Sequence, residues 1–246
     1  MIKIIADLHT HTLANDHAFS TLEENIAAAK RTGMRALGMA EHCHLLTDSP
    51  RYWHIGATTQ LPRYCDGILL IHGAEANVAD ADGNIDIDLR TLVRLDLVIA
   101  SMHDPVYPGY DVATNSRAWI NIARNPYVDV IGHSGTENHR YDYERVIEWL
   151  GKMGKAVEIN NHSYAVRAGA AKNCREIALI CKKLNVPIIV SSDAHKSWEV
   201  GIFDEALQML DEIDFPERLV LNADLDRLIE FINSKPHKLN KIVRSE

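Results

Sequence analysis

The sequence predicts an α/β fold: a closed or nearly closed barrel of parallel strands, with a doubly wound open sheet as the alternative. Three observations point there. Seven short apolar runs alternate with amphipathic stretches, the signature of repeated βα units. No linker, low-complexity tract or repeat divides the 246 residues, a length that suits one α/β barrel, so a single domain over 1–246 is expected. Finally, side chains of metal-ligand type recur where the strands end.

The predicted strands cover 2–6, 36–40, 68–73, 97–101, 128–132, 156–159 and 188–191. Each is a short apolar run, and most are bounded by Gly, Asp, Ser or His. The clearest helix covers 22–32, opened by Ser20 with Glu23 as a capping box and closed by Gly33. Further helices are expected over 116–124, 141–153, 173–184, 199–212 and 224–233. The segment 43–66 is the longest without periodicity. Loops of that length are uncommon unless functional, and this one follows the second strand, so it reads as a lid or pocket wall.

Composition narrows the function. Apolar residues make up 46% and charged residues 24%, the balance of a folded globular chain. The apolar runs are too short to span a bilayer. The opening MIKIIADLHTHT lacks the apolar core and cleavage site of a secretory signal, so a cytoplasmic location is expected. Cys43, Cys65, Cys174 and Cys181 form no CxxC pair, which argues against disulfides and against a thiolate zinc site. With 26 basic and 34 acidic residues the net charge is −8, and no basic stripe for nucleic acid is present. The short basic segment 235–244 reads as a solvated tail.

Histidine is the anomaly, with 13 residues. His9 and His11 follow the first strand, with His17 shortly after. His42 follows the second strand, Glu75 the third, His103 the fourth and His133 the fifth, while Asp193 and His195 follow the seventh. In a parallel barrel those C-terminal ends converge on one face, where such folds carry their sites. His9 with His11, and Asp193 with His195, are i, i+2 pairs. On an extended chain such side chains share a side, about 7 Å apart, so both reach one ion or two adjacent ions. Imidazole and carboxylate without thiolate suit zinc, with manganese or iron as alternatives. Seven histidines and two carboxylates exceed the needs of one four-coordinate ion. Two ions sharing a carboxylate, Glu75 or Asp193, is the minimum, and three is compatible. His44, His54, His72, His139, His162 and His237 read as ordinary hydrogen-bonded histidines, with His54 in the long loop also a candidate substrate contact.

The motifs DLHTHT, Glu41-His42, GAEAN (73–77), SMH (101–103), GHSG (132–135) and SDAH (192–195) resemble the PHP (polymerase and histidinol phosphatase) superfamily, in particular its small bacterial YcdX-type branch. The resemblance runs over essentially the whole chain, including WHI, DGNID, ATN, EINN, NCRE and DFPER. It implies a distorted (β/α)7 barrel and three zinc ions. By matched position, one ion would be held by His9, His11, Glu75 and Asp193; a second by Glu75, His103 and His133; the third by His17, His42 and His195. Two positions depart from the pattern. Glu41 stands where Asp is usual, which is expected to alter the support of the imidazoles. GHSG replaces the usual His-Pro, which is expected to loosen the loop after strand five.

The implied chemistry is phosphomonoester hydrolysis of a small substrate by a metal-bridging hydroxide, with Glu75, Asp193 and His195 at the catalytic centre. Asp7, with the parity of His9 and His11, would orient them. Asp104 or a water would protonate the leaving group, and Arg167 after strand six would contact phosphate. The rivals are a phosphodiesterase or exonuclease, disfavoured by the acidic balance; an amidohydrolase, which lacks its strand-end Lys here; and a non-catalytic metal-binding or interaction module. No nucleic-acid or membrane partner is expected.

Overall fold

A computed structural model describes residues 2–243. Seven strands run parallel in one sheet: β1 (Ala6–Thr10), β2 (Ala36–Met39), β4 (Ile68–Asn77), β5 (Leu97–Ser101), β6 (Val130–Ile131), β7 (Ala156–Asn160) and β8 (Ile188–Ser191). A two-residue strand, β3 (Tyr64–Cys65), joins β4 as an antiparallel hairpin. The main helices between strands are α1 (Leu22–Arg31), α4 (Val112–Arg124), α5 (Tyr143–Lys152) and α7 (Ala170–Leu184). Shorter ones are α2 (Trp53–Thr58), α3 (Leu89–Leu92) and α6 (Ser163–Val166), and α8 (Asp204–Glu212) and α9 (Leu225–Asn233) follow the last strand.

The sheet closes on itself, which excludes the open-sheet alternative. At the C-terminal rim Thr10 bridges Ala194; the His11 amide donates to Ala194 O at 2.9 Å and the Ala194 amide to His9 O at 3.3 Å. Lower down β1 and β8 part, and the Asn222 side chain fills the gap. Its Nδ2 donates to Ala6 O at 2.8 Å and Val190 O at 2.6 Å, and its Oδ1 accepts from Val190 N at 3.1 Å. One side-chain amide thus supplies the ladder bonds that a missing strand contact would leave unmade.

Apolar residues of the strands, among them Leu8, Leu69, Ile71, Leu97, Ile99 and Ile189, fill the interior together with Leu225, Leu228 and Ile232 of α9. Since Asp96, Asp129 and Lys155 immediately precede β5, β6 and β7, and Lys238 donates to Asp96 O, the C-terminal segment plugs the N-terminal mouth of the barrel. A larger cluster of buried residues lies between the sheet and the outer helices.

Several element boundaries differ from expectation. The first strand lies at Ala6–Thr10 instead of 2–6, and the third runs on to Asn77, because strands continue through the polar ligand layer where the apolar pattern stops. The fifth is only Val130–Ile131: Asp129 Oδ2 takes the Val98 amide at 2.8 Å, so a side chain replaces the first ladder bond. Helix α1 is capped by Thr21 with Glu24, not Ser20 with Glu23; Ser20 Oγ is engaged at 2.8 Å by the Ser197 amide across the rim. Helix α8 starts at Asp204, because Glu199 turns its carboxylate to the His195 amide. The segment 43–66 holds α2 and β3, and Leu46, Thr47 and Asp48 from it form part of a cavity wall. Arg244, the last residue of the expected basic tail, lies outside the described residues; Lys235 and Lys238 within it are buried and not solvated.

Candidate metal centre

The strand ends bring all nine candidate ligands to one rim. His9, His11, Glu75, His133 and Asp193 are buried; His42, His103 and His195 face a cavity of about 720 Å³, and His17 stands at its edge. Potential ligand atoms of His9, His11 and Asp193 fall within 4.8 Å of one another, as do those of His42, Glu75 and His103, and those of His11, His42 and His195. Glu75 is central: its Oε2 lies 2.7 Å from His42 Nδ1, 3.4 Å from His9 Nε2 and 3.7 Å from His11 Nε2, and its Oε1 lies 2.9 Å from His133 Nε2 and 3.4 Å from His103 Nε2.

The partners of each ring decide which nitrogen carries the proton. His9 Nδ1 is 2.6 Å from Glu158 Oε1, His103 Nδ1 is 2.7 Å from Asn77 Oδ1, and His195 Nδ1 is 2.9 Å from Asp193 O. His17 Nδ1 is 2.6 Å from Asp48 Oδ2. Every one of these partners is an acceptor, so in the neutral ring each Nδ1 is the donor and each Nε2 is a bare lone pair. The bare nitrogens of His17 and His195 face each other at 2.8 Å, and His103 Nε2 lies 3.2 Å from His133 Nε2, whose one proton is also claimed by Glu75 Oε1 at 2.9 Å. His9 Nε2 is buried without a hydrogen-bond partner, and His42 Nδ1 and Glu75 Oε2, though 2.7 Å apart, meet outside hydrogen-bond geometry. Such atoms are costly unless a cation sits among them. The donor set therefore fits divalent metal ions, with the outer ring nitrogens held as metal-bound histidines usually are.

Electrostatics show carboxylates calling for positive charge, which without an ion falls to the His9 ring. Burial opposes the charge of His9, but Glu158, Asp193 and Glu75 outweigh it and hold its pKa well above the ordinary value. Burial, with His42 and His195 alongside, holds His11 well below; burial and Arg167 push His133 down to about 4. Burial opposes ionisation of Glu75 and Asp193, yet the surrounding imidazoles hold both well below the usual carboxylate range. Carboxylates that stay ionised in a buried site call for compensating positive charge.

The backbone at two candidate ligands is unusual: His133 and Asp193 have φ of 25° and 54°. The turn at His133 is pinned by its amide to Glu158 Oε2 at 2.6 Å and by Ser134 Oγ to Tyr141 OH at 3.0 Å. The loosening expected of GHSG is thus offset by side-chain bonds. Asp7 meets the backbone amide of His9 and not the His9 or His11 ring. Three residue steps on β1 from Asp7 to Thr10 face two on β2, and this bulge breaks the alternation. Asp7 instead accepts from Ser192 and from Gly201 N at 2.9 Å, bracing the turn that carries Asp193; burial pushes its pKa up to about 6.

Sequence reasoning missed four supports. Glu158 on β7 holds His9, the His133 amide and Ser191 Oγ; its signal was the EINN run on the one strand that offered no candidate ligand. Asn77 holds His103, and Asp48 holds His17. Asn15 accepts from the His42 amide at 3.2 Å and donates to Glu41, which also takes Thr12 N at 3.1 Å. Glu41 thus supports the loop after β1, its Oε2 lying 4.0 Å from His11 Nδ1.

Of the remaining candidates, Arg167 and Asp104 line the cavity and His54 does not. Arg167 Nη1 lies 3.6 Å from Asp193 Oδ2. Asp104 is held by His139 Nε2 at 3.1 Å and by Asn138. His139 and His162, read as ordinary, also line the cavity, and the His162 ring stacks on His195 with centroids 5.8 Å apart.

Fold and site together define a class: an α/β barrel with a buried imidazole–carboxylate cluster of metal-binding type at the C-terminal ends of its strands. The sequence carries the PHP domain over residues 7–162 and the PHP-associated region over 172–203. It is 40% identical over 240 residues to a probable phosphatase of Caldanaerobacter subterraneus subsp. tengcongensis, covering 97% of this chain and 94% of that one. It is 36% identical to a probable phosphatase of Acetivibrio thermocellus, covering 98% and 100%. Among solved structures, the histidinol phosphate phosphatase of Lactococcus lactis subsp. lactis, complexed with zinc, L-histidinol and phosphate, has a similar fold (TM-score 0.56, 15% identity, 86% of this chain and 94% of that one). A chain of archaeal ribonuclease P with mature tRNA shares the fold equally (TM-score 0.56, 14% identity, 97% and 95%), so the fold alone does not decide the activity. The chain belongs to the PHP family.

Proposed function

We propose that the protein is a metal-dependent phosphatase hydrolysing small phosphomonoesters. The observation that carries this reading is the set of bare ring nitrogens facing one another and Glu75 beside an open cavity. The names of the full-length relatives support the reaction class. His9, His11, Glu75 and Asp193 would hold one ion, Glu75, His103 and His133 a second, and His17, His42 and His195 a third. Zinc suits the thiolate-free donors, with manganese or iron as substitutes.

Bound divalent ions supply Lewis acidity toward a phosphate oxygen and lower the pKa of water, so no Ser or Cys nucleophile is needed. The protein's own groups do the rest. Glu75 and Asp193 balance the charge of the cluster, and His195 completes its outer edge. Arg167, partly exposed to the cavity and tied to Ser163 Oγ at 3.2 Å, is placed to bind a phosphate oxygen. Asp104 on the cavity wall, or a water, would give a proton to the leaving oxygen.

The test is metal analysis of purified protein together with phosphate release from p-nitrophenyl phosphate and a panel of phosphorylated metabolites, with and without chelator. Zinc or manganese in the protein and chelator-sensitive release are expected. No metal-dependent release from any monoester, or faster cleavage of single-stranded DNA, overturns the reading.

A further inference from the structure

The nine candidate ligands differ sharply in how they are held. His9 is fully buried and backed by the fully buried Glu158, while His103 is backed by the buried Asn77. His17 sits in the loop after β1, its side chain 44% exposed, and its Nδ1 partner Asp48 is 36% exposed. Asp48 belongs to the irregular segment 43–66. It grips the β1 loop twice: Asp48 O accepts the Asp16 amide at 3.0 Å, and Oδ2 meets His17 Nδ1 at 2.6 Å. The second contact leaves His17 Nε2 bare and facing His195 Nε2. On the other side the loop is tied to the rim by the Phe19 amide donating to His195 O at 2.8 Å. Leu46 and Thr47, the two residues before Asp48, line the cavity with it.

We propose that Asp48 is a positioning residue for metal retention: it fixes His17 so that the outermost ion position stays filled, and this position exchanges its ion independently of the buried ones. The inference rests on the reading of the cluster as a metal centre. A carboxylate behind a metal-bound imidazole orients the ring and raises its basicity, and loss of such a partner typically weakens affinity ~10–100-fold. At the buried positions the imidazoles share carboxylates, Glu75 alone lying near five of them, so a lost partner there disturbs several positions together. At His17 no candidate ligand carboxylate is that close among the contacts described, so the effect of Asp48 falls on one ion. Because Asp48 also lines the cavity, the wall that meets substrate is mechanically the wall that holds this ion.

The experiment compares zinc-loaded wild type, Asp48→Asn and Asp48→Ala. Metal per chain is measured by mass spectrometry after desalting, and release to a chromogenic chelator is followed in time, with a thermal melt of each variant as a folding control. The Asp16–Asp48 backbone bond survives both substitutions, so the loop keeps its anchor. Wild type is expected to release its metal in a fast and a slow phase. Asp48→Ala is expected to speed the fast phase ~10–100-fold and to retain one ion equivalent less, with the slow phase unchanged. Asp48→Asn, which keeps an acceptor oxygen but loses the charge, is expected to fall between. A release curve and metal content identical to wild type in Asp48→Ala overturns the proposal, as does simultaneous loss of all ions from a folded variant. If wild type takes up no zinc at all, the metal-centre reading falls with it; a metal-loaded wild type with a silent Asp48→Ala removes this inference alone.

Discussion

Both ends of the barrel bury charge, and they treat it in opposite ways. At the N-terminal mouth each buried ammonium is met. Lys155 Nζ donates to Asn125 O and Val128 O, Lys235 Nζ to Gly154 O, and Lys238 Nζ to Asp96 O and Asp129 Oδ2. Arg63 pairs with Asp96 in the same region. At the C-terminal rim, buried His9 Nε2, His42 Nδ1 and Glu75 Oε2 have no well-formed hydrogen bond, and at the more exposed edge the bare Nε2 atoms of His17 and His195 face one another. Both ends leave buried atoms over, Asp129 Oδ1 and the His72 ring nitrogens at the mouth among them, but at the mouth every ammonium has its acceptor, whereas at the rim the leftover atoms converge within reach of one another. Paired charges hold a fold together; converging unpaired atoms suit something that arrives from outside. Burial and charge alone do not separate the two ends. Convergence of the unpaired atoms does.

Substitutions sharpen that contrast, beginning with the largest effect. Glu75→Ala removes the carboxylate on which five imidazoles converge, and turnover of p-nitrophenyl phosphate should fall at least ~10²–10³-fold with loss of bound metal. Retained turnover would make the rim as inert as the mouth. Lys238→Met at the other end strands the charge of Asp129 and should lower stability by about 3–5 kcal/mol in urea unfolding, with turnover per folded molecule unchanged. Glu158→Gln keeps the size but weakens the hold on His9 and the His133 amide, so activity or metal affinity should drop ~10–100-fold while the melting profile moves little. The smallest effect is a pH dependence. Burial pushes the Lys155 pKa from 10.5 down to about 8. The unfolded chain then binds that proton more tightly, so this group makes stability rise as pH increases from about 8 toward 10.5. Urea midpoints across that range should show the rise in wild type and a flatter profile in Lys155→Met.

What was legible in the sequence follows from distance along the chain. Strand cores such as Leu97–Ser101 and Ile188–Ser191 announce themselves as local apolar runs, and the candidate ligands announce themselves because they follow those runs directly. Ile2–Ile5 misled for the same reason: an apolar run marked a strand whose hydrogen-bonded part lies further on, among polar ligands. Glu158 sits 149 residues from His9, and Asn222 lies 216 from Ala6. Such pairs have no periodicity, so only the folded chain reveals them. The bulge that breaks the alternation between Asp7 and the His9 ring is likewise set by pairing with β2, not by the DLHTHT motif itself.

The wedge made by Asn222 has a consequence during synthesis. The strand bearing His9 and His11 leaves the ribosome early, while the residue that seals its lower edge to β8 is added 216 positions after Ala6. At ~5–20 residues per second that interval is on the order of 10–40 s. Through most of it the two imidazoles lack their facing carboxylate, Asp193, and throughout it the amide that closes the seam. The nascent chain therefore passes most of its translation with its first ligands exposed and uncaged. A ribosome-stalled chain ending before Asn222 should be the form most readily stripped of metal and most readily cut near β1.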